Sequence, residues 1–172
     1  AGCELMPNPE LAAEIVGAVK ASVKVPVSVK MRLGWKKRDE ILSFAPKIEA
    51  AGADFITIHG RTRDEQYSGE ADWEIIARVK SAVKIPVIAN GSIWTADDAR
   101  RCLQVTKADG VTIARGALGN PWIFREIKNI ISSPSKGEAS HPDVHRGAPP
   151  GGGGRGKSSY HPQPLLTKEG RS

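Results

Sequence analysis

The sequence predicts an α/β fold of four parallel βα units, arranged as in half of a (β/α)8 barrel. Short β-branched runs alternate with helix-patterned stretches over the first 131 residues, which is typical of parallel βα units. The strands start about 25 to 31 residues apart, the spacing of a barrel whose eight units need roughly 250 residues. The sequence also repeats itself: "SVKVPVSVK" recurs as "AVKIPVIAN", and "ADFITI" recurs as "ADGVTI". A doubly wound sheet is the alternative, and the repeat favours the barrel.

The individual elements follow from local pattern. Continuous apolar runs of strand length indicate strands buried on both faces, and they are residues 25–31, 54–59, 85–90 and 110–115. The helical spacing covers residues 10–23, 38–51, 72–83, 96–105 and 121–131. The last helix is expected to have Asn120 as its N-cap and Pro121 at its first position.

The composition changes near Ser132. Residues 132–172 contain eight of the 18 glycines and six of the 12 prolines, and such a segment cannot bury enough apolar surface to offset its ordering entropy. We therefore predict a partial barrel domain over residues 1–131 and a disordered Gly/Pro-rich tail over residues 132–172.

Charge and cysteine content restrict the function classes. The net charge is +6, a weak indication of a polyanionic partner, since half of that charge falls in the tail. The apolar runs are far shorter than the roughly 20 residues that cross a bilayer, so no membrane partner is expected. Cys3 and Cys102 are far apart and form no CxxC motif, which predicts neither a disulfide framework nor a metal site. A cytoplasmic protein is expected.

Polar residues or glycines stand where the predicted strands end, which is where barrels bind their ligands. Lys30 and Arg32 alternate on one side of the first strand, so two cations face an electron-rich ring or an anion, or else salt-bridge partners inside the barrel. His59 ends the second strand and is followed by Gly60 and a long polar loop. Such a histidine is either structural or part of a site.

The last two turns predict backbone contacts to a ligand. Residues 90–92 place an amide and a glycine at a strand end, although Asn-Gly is also an ordinary turn. Arg115 and Gly116 offer backbone N–H groups in a tight turn, and a helix from Pro121 would direct its positive end to the same place. Together they predict a phosphate site of the kind barrels have after their last strands. A plain connection containing a glycine is the alternative.

With these segments the sequence resembles the tRNA-dihydrouridine synthase family, in particular its bacterial B-type branch. The resemblance covers roughly residues 1–131, and its most specific stretches are "IHGRTRDEQYSG", "IPVIANGSI" and "GVTIARGALGNPWIF". It implies an FMN-binding TIM barrel, of which this chain contains the C-terminal half. It also implies the family's reaction, in which FMN reduced by NADPH reduces uridine to dihydrouridine in tRNA.

The resemblance assigns roles to individual residues. Lys30 and His59 would lie against the flavin ring. The ribityl chain and phosphate would be held by Asn90, Gly91, Ser92, Ala114 and Arg115. Gly116 joins them as part of the phosphate turn predicted above. The residues expected to face the tRNA are Arg61, Arg63, Tyr67 and Ser68. The sequence departs from the family at Ser92, usually Asp, and at Ala114, usually Gly. A serine still forms hydrogen bonds, whereas an alanine narrows the turn.

No catalytic residue is assigned within this sequence. The resemblance places the family's catalytic cysteine upstream, in an Asn-x-Gly-Cys-Pro segment that these residues do not contain. Cys3 is followed by Glu4 instead of proline, and Cys102 lies on a predicted helix, so neither is expected to be the acid. We expect a partial chain that is inactive alone and that folds poorly or self-associates through the open sheet edges of a half barrel.

Two other functions remain open. One is a different FMN- or phosphate-binding barrel dehydrogenase, although a small substrate does not require the arginine-rich loop after the second strand. The other is a non-catalytic RNA-binding fragment that uses this loop and the basic tail.

Overall fold

A computed structural model describes residues 2–132 of the chain. This part contains a four-stranded parallel sheet in the order β1-β2-β3-β4. The strands are β1 (Ser28–Arg32), β2 (Phe55–His59), β3 (Val87–Asn90) and β4 (Gly110–Thr112). The helices are α1 (Pro9–Ser22), α2 (Glu40–Ala50), α3 (Trp73–Ala82), α4 (Ala96–Thr106) and α5 (Ile123–Ser132). Short 3-10 turns cover Gly2–Leu5 and Arg115–Ala117. The predicted tail lies outside the described residues except for Ser132.

The sheet order confirms the predicted fold class. Each strand pairs with the next one along the chain, with a helix between them, whereas a doubly wound sheet reverses its order at a switch point. The register places Arg32, His59, Asn90 and Thr112 side by side in one row across the sheet. This row lies at the carboxyl ends of the strands and brings the predicted site residues together.

The core lies between the sheet and its helices. Alternate residues of β2 and β3, such as Ile56, Ile58 and Val87, are fully buried, and they pack with helix residues such as Ile41 and Ile76. Because side chains of a strand alternate between its faces, the other face of the sheet carries the row from Arg32 to Thr112. None of the helices in residues 2–132 has the length and apolar character required to cross a membrane.

The sequence repeat has a structural counterpart at the amino ends of the strands. The carboxylate of Asp54 accepts hydrogen bonds from Lys20 Nζ at 2.7 Å and from the backbone N–H of Val27 at 2.6 Å. The same contacts, both 2.7 Å long, recur in the second repeat among Asp109, Lys80 and Val87. Each aspartate therefore fastens a helix and the start of the strand that follows that helix.

Several predicted boundaries are wrong, and three of them have a clear local reason. β1 begins at Ser28, after Pro26, which has no N–H for a sheet hydrogen bond. β4 ends at Thr112 because the backbone of Ala114 turns away, with φ −115° and ψ −99°. α5 begins at Ile123, and the carbonyl of Trp122 accepts bonds from the N–H groups of the first helical turn. Asn120 is therefore not the N-cap.

Candidate functional site

A cleft of about 240 Å³ lies at the carboxyl ends of the strands. All eight residues predicted to bind a cofactor line it, namely Lys30, His59, Asn90, Gly91, Ser92, Ala114, Arg115 and Gly116. The same cleft is lined by Arg32, Arg61, Tyr67, Ile93, Trp94 and Thr112. The structure thus brings together residues that the sequence spreads over four strand ends.

The cleft is strongly cationic. Lys30, Arg32, Arg61 and Arg115 line it, and no lining residue carries a carboxylate. Burial, together with the neighbouring Arg32, lowers the pKa of Lys30. Since no carboxylate in the lining neutralises these cations, the site favours an anionic ligand or one rich in hydrogen-bond acceptors.

His59 is buried among these cations and is only 7% exposed. Its pKa is lowered to about 4, first by burial and then by the charges of Arg32, Lys30, Arg61 and Arg115. The Nε2 atom lies 3.2 Å from Nη1 of Arg61. A guanidinium can only donate, so Nε2 is the acceptor and the ring proton is on Nδ1. His59 is therefore a neutral hydrogen-bond donor through Nδ1.

Arg61, which was predicted to face the tRNA, lines the cleft and is only 3% exposed. Its guanidinium donates to the carbonyls of Ser68 at 3.1 Å and Gly69 at 2.5 Å, and to Oγ of Ser92 at 3.0 Å. Because an arginine can satisfy several acceptors in a fixed plane, this side chain holds the loop after β2 against the turn after β3.

The turn after β3 needs a glycine. Gly91 has φ +113°, and a Cβ at this position would lie 2.9 Å from Cδ2 of His59. Ser92 follows with φ +54°, and its hydroxyl accepts the N–H of Ala71 at 2.9 Å. The amide of Asn90 donates to the carbonyl of Thr112 at 2.7 Å. Asn90 and Ser92 therefore already have partners within the protein, and Gly91 leaves room beside the histidine.

The predicted phosphate turn takes the form of a 3-10 turn. Arg115 and Gly116 are its first residues, and the first N–H groups of a helix have no partner within it. Gly116 packs against the backbone of Ile93, since an added Cβ would lie 2.4 Å from the Ile93 carbonyl oxygen. The turn therefore needs a glycine at position 116, and the helix after it begins at Ile123 instead of Pro121.

Sequence reasoning missed an aromatic cluster over the cleft. The Arg115 guanidinium carbon lies 4.7 Å from the Tyr67 ring centroid and 4.8 Å from that of Trp94, and Arg32 lies 5.8 Å from Tyr67. Such stacking fixes a guanidinium at little cost in hydration. The residue in the sequence that could have indicated this cluster is Trp94, which follows the Asn-Gly-Ser-Ile turn. The structure shows it to be 48% exposed.

The other residues predicted to face RNA lie at the rim or beyond it. Tyr67 lines the cleft and is 62% exposed. Ser68 is exposed, and its carbonyl accepts from Arg61. Arg63 does not line the cleft; its guanidinium carbon lies 4.6 Å from the ring centroid of Trp35.

Comparison with known proteins identifies the family. The family model for dihydrouridine synthases (Dus) matches residues 1–145. The chain belongs to the dihydrouridine synthase family. The match runs past residue 131, where the sequence predicted the family resemblance to end, and it confirms the resemblance itself.

Curated relatives agree with the Dus assignment. A probable tRNA-dihydrouridine synthase 1 of Synechocystis is 46% identical over 139 residues, covering 80% of this chain and 39% of the relative. The tRNA-dihydrouridine synthase B of Pseudomonas syringae pv. tomato is 46% identical over 132 residues, covering 76% and 39%. The chain therefore spans about two fifths of the length of these Dus relatives.

Among solved structures, a phosphonopyruvate hydrolase is similar to this Dus chain with a TM-score of 0.57. The two are 21% identical, and the similarity covers 75% of this chain and 50% of the hydrolase. At this identity the similarity concerns the fold alone.

Proposed function

We propose that this chain is the cofactor-binding part of an enzyme that reduces uridine to dihydrouridine in tRNA, with FMN as the cofactor and NADPH as the reductant. The observation that carries the proposal is the cleft, where the residues that the family resemblance assigns to the flavin converge with four cations and no carboxylate. The names of the relatives support dihydrouridine synthesis in tRNA.

The donor set of the cleft fits FMN. The phosphate is a dianion, and the N–H groups of Arg115 and Gly116 begin a turn without partners inside it. The flavin ring presents carbonyl and nitrogen acceptors, which suit the ammonium of Lys30 and the Nδ1–H of His59. Gly91 leaves space next to His59 that any side chain would fill.

When bound, FMN supplies the hydride chemistry that side chains cannot provide. The residues of this chain hold and orient it. Lys30 keeps a positive charge near the ring, and His59 remains neutral at physiological pH, so it donates one fixed hydrogen bond. Arg61 fixes the tautomer of His59 through Nε2 and holds the loop that carries Tyr67 at the rim.

We further propose that the proton donor of the reaction lies outside these 172 residues. Burial raises the pKa of the Cys102 thiol to about 12, which makes it unsuited to proton transfer near neutral pH. Cys3 is a free, partly buried thiol at the first 3-10 turn. The relatives are more than twice as long as the matched segment. Because this chain matches only part of such an enzyme, we expect it alone to bind FMN weakly and to reduce no tRNA.

The test is an FMN titration of the purified chain, followed by flavin absorbance and fluorescence. We expect weak, saturable binding that Lys30→Met reduces by at least about tenfold, since it removes an ammonium group from the cleft. Lys84→Met, on an exposed lysine before β3, is the matched control. No saturable FMN binding by the wild-type chain would contradict the proposal.

The same preparation separates the alternatives. A non-catalytic RNA-binding fragment would bind tRNA and no flavin. Another barrel dehydrogenase would bind FMN without salt-dependent binding of tRNA. Formation of dihydrouridine by the isolated chain with NADPH and FMN would show that the proton donor lies within it.

We also propose that the isolated chain self-associates through its open sheet edges. In residues 2–132, β1 and β4 are edge strands. Leu11, Ile15 and Val19 form an exposed apolar line on α1, and Trp122 and Phe124 are exposed near α5. Two copies that pair β4 with β1 would close an eight-stranded barrel without edges.

Light scattering after size exclusion tests this self-association. A dimer is expected, and Ile15→Lys is expected to shift it toward monomer. Val105→Lys, at an exposed position of α4, is the control that should not. A wild-type chain that is monomeric at tens of micromolar would contradict the dimer.

A further inference from the structure

A second tryptophan–arginine pair lies outside the cleft. The guanidinium carbon of Arg63, in the loop after β2, lies 4.6 Å from the ring centroid of Trp35, in the loop after β1. The two loops are joined by backbone hydrogen bonds from Arg63 N to the Gly34 carbonyl at 2.8 Å and from Asp64 N to the Trp35 carbonyl at 3.2 Å. The position of the stacked pair is therefore fixed by both backbones.

The Arg63 guanidinium makes only weak contacts with charged groups of the protein. The Arg63 side chain is 45% exposed, and its ion pair with Asp64 is 3.4 Å long and exposed on both sides, so it contributes little. The nearby Arg38 differs, because Glu65 and Asp72 hold its guanidinium at 2.5 and 3.0 Å. Arg63 thus keeps a half-exposed guanidinium over the Trp35 ring without a buried carboxylate partner.

Two further cations follow this pair in the loop after β1. Lys36 and Lys37 follow Trp35 directly, and both are exposed. A guanidinium over an aromatic ring, in a loop that also carries two exposed lysines, is suited to a phosphate backbone with neighbouring bases. A protein partner with clustered carboxylates could pair with the charges, but it would not need the flat stacked surface.

The loop that carries Arg63 is bonded to a residue that lines the cleft. Arg32, which lines the cleft, donates from Nη1 to the carbonyls of Thr62 at 2.8 Å and Gln66 at 2.9 Å. These residues belong to the same loop as Arg63 and Tyr67. Because Tyr67 and Arg63 lie in the same loop, an RNA chain that enters the cleft past Tyr67 can continue over the Trp35–Arg63 pair.

We propose that Trp35, Lys36, Lys37 and Arg63 form a docking surface for the RNA backbone next to the cleft. This inference rests on the proposed function, and it assigns to tRNA three residues, Trp35, Lys36 and Lys37, that the family resemblance did not supply. Arg63 acts here through its stacked guanidinium, and the lysines neutralise phosphates.

The test measures tRNA binding by fluorescence anisotropy over a range of salt concentrations, with the whole 172-residue chain. The triple variant Lys36→Gln, Lys37→Gln, Arg63→Gln is expected to bind at least about tenfold more weakly, with a slope of log affinity against log salt that is smaller by about 2 to 3. The triple control Lys24→Gln, Lys84→Gln, Arg78→Gln removes the same charge from exposed sites elsewhere.

Arg63→Lys separates stacking from charge. It keeps the charge, so a weaker affinity with an unchanged salt slope supports the stacked geometry. Equal affinities of the triple variant and its control would overturn the inference, as would a wild-type chain that does not bind tRNA. A triple variant that loses polyglutamate binding but keeps tRNA binding would overturn it in favour of an acidic protein partner.

FMN titration of the same variants keeps this inference distinct from the proposed function. None of the four residues lines the cleft, so FMN binding is expected to be unchanged in the triple variant. A chain that binds tRNA through this surface and fails to bind FMN would contradict the proposed function and leave the docking surface supported. The reverse result would overturn the docking surface alone.

Discussion

The two sequence repeats agree at one end of the sheet and differ at the other. At the amino ends of the strands, Asp54 and Asp109 make the same contacts to a lysine and a backbone N–H. At the carboxyl ends, each repeat also pairs a tryptophan with an arginine. The pair Trp94–Arg115 lines the cleft, whereas Trp35–Arg63 lies outside it.

The two ends of the sheet therefore differ in what the repeat preserves. In parallel α/β barrels the amino end of the sheet carries stabilising contacts and the carboxyl end carries the site. The repeat keeps the contacts at the amino end and changes the residues at the carboxyl end. The same supersecondary unit therefore occurs twice, with different loops. Substitutions at the two ends are therefore expected to have different consequences.

The largest expected effect is at the turn after β3, where the repeats diverge. Met31 occupies the position of the first repeat that corresponds to Gly91 in the second. Gly91→Ala combines a left-handed φ of +113° with close contacts at 2.9 Å, and we expect a loss of about 4 kcal/mol in the free energy of unfolding. Urea denaturation measures it.

Gly69→Ala is the matched control for this substitution. Gly69 also has a left-handed φ, +65°, but nothing lies within 4 Å of an added Cβ. Its expected cost is about 1 kcal/mol, from backbone strain alone. Equal losses in the two variants would mean that the contact with His59 does not matter.

The next effect concerns His59, whose counterpart in the second repeat is Ala114. Because its pKa is about 4 in the folded chain against an ordinary 6.5, the unfolded chain binds more protons between these values. Stability therefore rises with pH across this window. The wild-type chain should lose about 3 kcal/mol between pH 7 and pH 4 relative to His59→Gln. Parallel pH profiles for the two proteins would refute the low pKa.

The smallest difference is expected between the two aspartates. Hydrogen bonds from lysine and backbone N–H lower the pKa of both Asp54 and Asp109. Each contributes stability above its ordinary pKa, and this is lost as pH falls through the lowered value. Asp54→Asn and Asp109→Asn should thus lower the melting temperature similarly at pH 7, and by less as the pH falls below the ordinary carboxyl pKa. A clearly larger loss of melting temperature for one variant than for the other would show that the two aspartates are not equivalent.

The sequence was sufficient for the parts of the fold that depend on local pattern. Alternating apolar runs, their spacing and the internal repeat predicted the order of strands and helices. The ends of parallel strands meet at one edge of the sheet, so the residues that end them converge in the cleft. The roles of individual residues there, such as Lys30 and His59, remain predictions.

The rest depends on side-chain direction, which a single sequence does not carry. Arg61 follows a strand in a polar loop, yet it turns inward because carbonyls of that loop and Oγ of Ser92 offer it acceptors. Trp94 and Arg115 are distant in sequence and meet only through the register of β3 and β4. The start of α5 was misplaced because Pro121 fits a helix start and a preceding turn equally well.

The aspartate contacts at the amino ends have a consequence for how the chain unfolds. Each carboxylate joins segments that belong to successive βα units, so one unit cannot open without releasing its neighbour. Local opening is therefore coupled along the sheet, and amide protons of β1 to β3 are expected to exchange with solvent in one cooperative event. We therefore expect the units that contain these strands to open together and not one after another.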